Sequence, residues 1–130
     1  MDGLGGALAS WEGKFHFVKR VEAIIRTNRL EEVKEALEEQ GLLGITVESV
    51  RGYGRQQGQH GHFSGSSYAL NLVPKTKIEV VLLDEQVDAA IEAIVSAAQT
   101  GEMGDGKIFV SEVSEVIRVR TGERGESALQ

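Results

Sequence analysis

The chain contains no cysteine, which excludes disulfides and thiolate metal sites and fits a reducing compartment, so the cytoplasm is the expected location. It also lacks any apolar run near the roughly 20 residues needed to span a bilayer. Its N-terminus shows no basic stretch leading into an apolar one, so a protein neither membrane-spanning nor secreted is expected. Positive charge is in deficit: 14 Lys and Arg stand against 20 Asp and Glu, a formal net charge of -6. A phosphate-backbone binder draws its affinity from a basic face. Nucleic acid is therefore not an expected partner.

The 130 residues, 41% of them hydrophobic, suffice for one domain that buries on the order of two thirds of its unfolded surface. Near the end runs Thr100-Gly-Glu-Met-Gly104-Asp105-Gly106-Lys107, followed by Arg118-Val-Arg120 at strand spacing. Glycines let backbone N–H groups approach an anion, a lysine adds a mobile charge, and arginines two apart project from one strand face. Together they suggest a nucleotide site. The segment is not a Walker loop, because its lysine is not followed by Ser or Thr and it leads into Ile108-Phe-Val, a strand pattern. A tight turn with no ligand is the plain alternative.

Residues 1–16 are glycine-rich and aperiodic, with Trp11 the one large apolar anchor, and read as a flexible extension of a domain spanning 17–130. From Phe17 the pattern alternates, with Lys19, Val21, Ala23 and Ile25 on one face and Arg20, Glu22 and Arg26 on the other, which predicts a strand. Leu30, Val33, Ala36 and Leu37 then follow helical spacing, with Asn28 a candidate N-cap and Gly41 a stop. The β-branched stretch 45–50 predicts a second strand.

The order then repeats: a strand over 77–83, a turn at Asp84, a helix burying Val87, Ala90, Ile91, Ile94 and Ala98 and ending at Gly101, and a last strand region in Ile108-Phe-Val and Val116-Ile-Arg-Val. Two successive βαβ units predict an α+β, ferredoxin-like sandwich with a long loop between the units. Helices on one face leave the other sheet face in need of cover, and its expected apolar content points to self-association.

Between the units, 52–68 is too polar for a compact hairpin, and a loop this long in a small domain is usually functional or disordered. Gly52-Tyr-Gly-Arg-Gln56, Pro74-Lys75-x-Lys-Ile-Glu79, Thr100-Gly-x-x-Gly-Asp-Gly-Lys107-Ile-Phe-Val and Ile117-Arg-Val-Arg-Thr-Gly-Glu123, in this order, resemble the PII nitrogen-regulatory signal-transduction family. The resemblance covers essentially 17–128. It implies a non-enzymatic homotrimer that senses ATP or ADP together with 2-oxoglutarate, and that controls partner proteins through the loop at 55–71.

By that resemblance, Gly104, Asp105, Gly106 and Lys107 would cradle the nucleotide phosphates, and Arg118 and Arg120 would reach them from a neighbouring subunit. Thr46 would contact the adenine end, Glu79 the ribose and Arg55 the phosphates, with Gly54 and Val81 completing the nucleotide set. Gln56 would help coordinate Mg²⁺, whose other ligands would be ATP phosphates and 2-oxoglutarate, since hard Mg²⁺ prefers oxygen ligands. Arg26, Gln56, Gln57, Gly58, Lys75 and Gly104 would hold the dicarboxylate. Tyr68 and Ser66 fall where some relatives are uridylylated or phosphorylated. An ammonium transporter and an amino-acid kinase are the partners implied.

The chain departs from the family pattern in carrying Thr27-Asn28 where Pro-Phe is common, Arg26 and Gln57 where lysine is usual, and an uncharged loop tip around His60-Gly-His62. Each assignment has a plain alternative. For Glu79, Lys75, Arg118 and Arg120 it is a solvated strand charge, set behind the ligand reading, and for Thr46 a β-former, whereas Tyr68 reads first as a packing residue and the two histidines as solvated. Lys19, Arg20, Glu31 and Glu35 read as solvated faces. A slow ATPase and a sensor of another small anion or a metal are the competing functions.

Overall fold

A computed structural model describes residues 18–53 and 72–129. Strand β1 (Val18–Ile25) leads through a 3-10 turn at Thr27–Arg29 into helix α1 (Leu30–Glu39), then β2 (Ile45–Tyr53). Strand β3 (Leu72–Leu83), helix α2 (Val87–Ala98) and β4 (Gly106–Glu112) repeat that order, and a short turn at Glu126–Leu129 follows. The four strands form one antiparallel sheet in the order β2-β3-β1-β4. In each unit the helix returns the chain so that another strand fits between, the arrangement of a ferredoxin-like fold.

Alternation on β1 and β3 does what the sequence pattern predicts. Val21, Ala23 and Ile25 from β1, with Ile78, Val80 and Leu82 from β3, are buried against Val33 and Leu37 of α1 and Ala90, Ile94 and Ala98 of α2. Helix α1 closes where expected: Leu42 N–H bonds to the Leu37 carbonyl at 3.0 Å, Gly41 N–H to Glu38 at 2.9 Å, and Leu42 folds back into the core. Asn28 does not cap it. That residue lies inside the 3-10 turn, and α1 starts at Leu30 without a side-chain cap, its first turn carrying Glu31 and Glu32 against the helix dipole instead.

The β2–β3 hairpin is longer than its β-branched cores suggested, pairing as far as Tyr53 with Leu72. Pro74 is tolerated in β3 because β1 ends at Ile25, opposite Thr76, so that β3 has β2 alone as a neighbour at Pro74. The hairpin thus projects past the rest of the sheet, and the segment 54–71 leaves from its tip. Residues 1–17 and 54–71 lie outside the described residues, and with them the extension, Trp11, the loop histidines, Tyr68 and Ser66.

Two expectations are corrected. Val116-Ile-Arg-Val forms no strand: only Ile117 bridges, to Arg124, because Gly122 N–H bonds back to the Arg118 carbonyl at 2.7 Å and Arg118 N–H to Glu123 at 2.8 Å. Gly122 makes this reversal at φ +75, so strand alternation does not apply to Arg118 and Arg120. The helix-free sheet face is also not apolar at its centre. It carries Lys77 bonded to Glu22 at 2.9 Å and 3.9 Å from Glu48, and Arg20 at 3.4 Å from Glu79. Its apolar residues, Val81 opposite Arg20 and half-exposed Phe109 opposite Glu22 among them, are interspersed with these charges.

Candidate functional site

At one end of the sheet, β1 stops, β4 begins, and the β2–β3 hairpin continues alone. Three sequence-distant cues meet there. Arg26, one residue past β1, donates from Nε to Asp105 Oδ1 at 2.9 Å and from Nη2 to the Met103 carbonyl at 2.7 Å. Lys75 of β3 donates from Nζ to the Gly104 carbonyl. A Cβ placed on Gly104 would lie 3.3 Å from Arg26 Nη2 and 3.6 Å from Lys75 Nζ, so the two cations flank a single point of the loop.

The loop is held from inside by Asp105. Its Oδ2 accepts the backbone N–H groups of Thr100 at 2.7 Å and Gly101 at 2.9 Å, and its Oδ1 accepts the Thr100 hydroxyl as well as Arg26. A carboxylate accepting this many donors is strongly stabilised in its charged form. The Thr100 hydroxyl first, then Arg26 and the Thr100 amide, hold Asp105 well below the usual carboxylate range. Asp105 is therefore a loop brace whose oxygens face Thr100, Gly101 and Arg26.

Burial first, and the positive charge of Arg26 second, push Lys75 below its ordinary value, with Asp105 acting in the opposite direction. Two cations share one carboxylate that is already saturated with donors, so the local balance favours an incoming anion. Such an anion would compete with the carbonyls that Arg26 and Lys75 now hold. An apolar cleft of about 390 Å³, lined by Ile24, Ile91, Val95 and Ile108, opens against Asp105 and Lys107. Small-molecule sites start near ~300 Å³.

Of the other expected site residues, Gly106 pairs with Ile25 and Lys107 with Ile24 on β4, at the start of that strand. Thr46 and Glu79 face each other across β2 and β3, and Val81 follows on the same face. Glu79 is paired with Arg20 there. Arg118 is engaged within the C-terminal turn, bonding Glu123 and, at 2.7 Å, the Ser127 carbonyl, while Arg120 is exposed in that same turn. Gly54, Arg55, Gln56, Gln57 and Gly58 lie outside the described residues.

Sequence reasoning missed the carbonyls of Met103 and Gly104 as cation acceptors, and it missed Thr100 as the brace partner of Asp105. Backbone acceptors carry no residue-type signal. Thr100 had one: a hydroxyl at a helix exit followed five residues later by Asp is a spacing at which side chain and backbone can close a turn.

A family model described as nitrogen regulatory protein P-II matches residues 18–123. The chain is 57% identical over 112 residues to the nitrogen regulatory protein P-II of Rhizobium meliloti, covering 86% of this chain and all of that one. It is 56% identical over 113 residues to nitrogen regulatory protein P-II 2 of Methanothermobacter thermautotrophicus, across 87% of this chain and 98% of that one. Among solved structures, Arabidopsis thaliana PII bound to citrate superposes with a TM-score of 0.72 at 46% identity, covering 86% of this chain and 92% of that one.

Proposed function

This chain belongs to the nitrogen regulatory protein P-II family, and on that premise we propose that it senses ATP or ADP together with 2-oxoglutarate and regulates partner proteins through residues 55–71. The convergence of Arg26 and Lys75 beside the loop 100–107, at the base of the segment 54–71, carries the reading. That arrangement suits a small dicarboxylate, and a relative with citrate bound is in keeping with polycarboxylate chemistry. The glycine loop and Lys107 suit nucleotide phosphates.

Among the described residues no three His, Cys, Asp or Glu gather as a metal site. The proposed Mg²⁺ would take Gln56 from the chain and its other oxygen ligands from ATP and 2-oxoglutarate, which suits a hard cation. When bound, it supplies the charge that joins the two ligands, so that each tightens the other. Arg118 and Arg120 are proposed to serve a nucleotide on a neighbouring subunit of a homotrimer. An ammonium transporter or an amino-acid kinase is the proposed partner, and the cytoplasm the proposed location.

The regulatory rather than hydrolytic reading is supported at Asp105. The carboxylate beside the loop is pulled away from neutral pKa by its donors, opposite to what a general base requires. Calorimetry of ATP with Mg²⁺, with and without 2-oxoglutarate, tests the proposal on the wild type and Gln56→Ala. Each ligand should tighten the other by about tenfold or more in the wild type, the range of ordinary allosteric coupling, and Gln56→Ala should lose that coupling. ATP binding indifferent to 2-oxoglutarate would overturn it.

A further inference from the structure

Thr76 is the one buried polar side chain among the described residues, 4% exposed on the core face of β3. A hydroxyl at such a position costs stability unless bonded, and valine would fill the same space without that cost. Its partner is the hydroxyl of Thr27, at 3.1 Å. These two threonines immediately follow the two cations of the site, Arg26 and Lys75. They also stand where the β1–β3 ladder ends, since Ile25 opposite Thr76 is its last pair. Past that pair, the hydroxyl bond is a lateral tie between the two backbones that carry Arg26 and Lys75.

We propose that the Thr27–Thr76 hydroxyl pair is a positioning clip that sets the spacing between the Arg26 guanidinium and the Lys75 amine, and so selects the length of the dicarboxylate held between them. The proposal rests on the dicarboxylate reading given above. Without the clip, the turn 27–29 is free to pivot about the end of β1, carrying Arg26 away from Lys75. The Arg26 bonds to Asp105 and to the Met103 carbonyl would then lengthen or follow the turn, so the gap between the cations would vary.

Thr76→Val and Thr27→Val separate the clip from simple packing, because valine at 76 keeps the core volume. In the presence of ATP and Mg²⁺, each variant should bind 2-oxoglutarate about threefold to tenfold more weakly, the worth of one hydrogen bond. Each should also discriminate less against dicarboxylates one carbon shorter or longer, with the thermal midpoint of Thr76→Val at or above that of the wild type. Thr76→Ser restores the hydroxyl and should recover the selectivity. The double valine variant should be no weaker than either single one, as expected of two residues sharing one bond.

A second readout needs no ligand. Because Arg26 is one cause of the lowered Lys75 titration, NMR of the Lys75 side chain should show its midpoint rising toward the ordinary lysine value in both valine variants. Wild-type binding and selectivity together with an unmoved Lys75 midpoint would overturn the clip. A moved midpoint in a protein whose wild type ignores 2-oxoglutarate would instead overturn the dicarboxylate reading and leave the clip standing.

Discussion

Gly106→Ala is expected to lose more than about 3 kcal/mol of folding stability, a large part of the ~5–15 kcal/mol typical of a domain. A Cβ at this position would lie 1.7 Å from the Ile24 carbonyl oxygen and 2.8 Å from its carbon, both backbone atoms of β1. The neighbour cannot rotate aside, so β4 must move off β1 at the first pair of its ladder, Ile25 with Gly106. The backbone there also sits at φ +111, a conformation that costs other residues ~1–2 kcal/mol before any clash. Gly41→Ala is the control: φ is +78 and nothing lies within 4 Å of the added carbon, so only the conformational cost of about 1 kcal/mol remains. Urea titration of both variants decides the matter, and similar midpoints for the two would mean that the close approach at Gly106 does not exist.

The contrast between these glycines also shows why the fold was more legible in the sequence than the site. Period-two alternation on β1 and the centre of β3, and the helical spacing of Val33 with Leu37 and of Ala90 with Ile94, are imposed by burial on one face. A hydrophobic pattern reports that directly. Gly41 as a helix stop is local for the same reason. The failures came where a tight backbone turn overrides the residue-type signal. Asn28 has a capping side chain, but the chain leaves β1 through a 3-10 turn that places it one residue before the N-cap position, which Arg29 takes. Arg118-Val-Arg120 has strand spacing, but Gly122 folds the segment onto itself and the two side chains lose their common face.

The site was legible in composition and only partly in geometry. Gly104 to Lys107 and the basic residues Arg26 and Lys75 were each nameable, and the structure brings Arg26, Lys75, Gly104 and Asp105 together. Asp105 read as one more phosphate-loop residue, yet its partners lie within its own chain at Thr100, Gly101 and Arg26. Whether a carboxylate turns outward to a ligand or inward to a loop depends on the path of the backbone between 100 and 105, which residue types alone do not specify. The helix-free sheet face was misread for a related reason. Lys77, Glu22 and Glu48 come from three strands, and their compensation exists only once the register is set.

Removing that inward carboxylate should have the second large effect. In Asp105→Ala the N–H groups of Thr100 and Gly101 lose their acceptor and Arg26 loses its ionic partner, so the loop 100–105 opens while the core around Ile78 stays closed. Hydrogen exchange should be faster by about tenfold or more at the Thr100 and Gly101 amides and unchanged at Ile78. The acid limb of the stability profile should change with it. In the folded protein Asp105 stays ionised well below its ordinary value of 3.8, so the unfolded chain binds this proton first. Its contribution is complete above that ordinary value and declines as the pH falls below it toward the folded-state value. The alanine variant should lack this part of the acid dependence and lie nearest the wild type at the lowest pH. An alanine variant with wild-type exchange at Thr100 and Gly101 and an unaltered acid limb would mean that the backbone holds the loop unaided. Arg26 and the Gly104 carbonyl would then owe their positions to the end of β1 and the start of β4 rather than to Asp105.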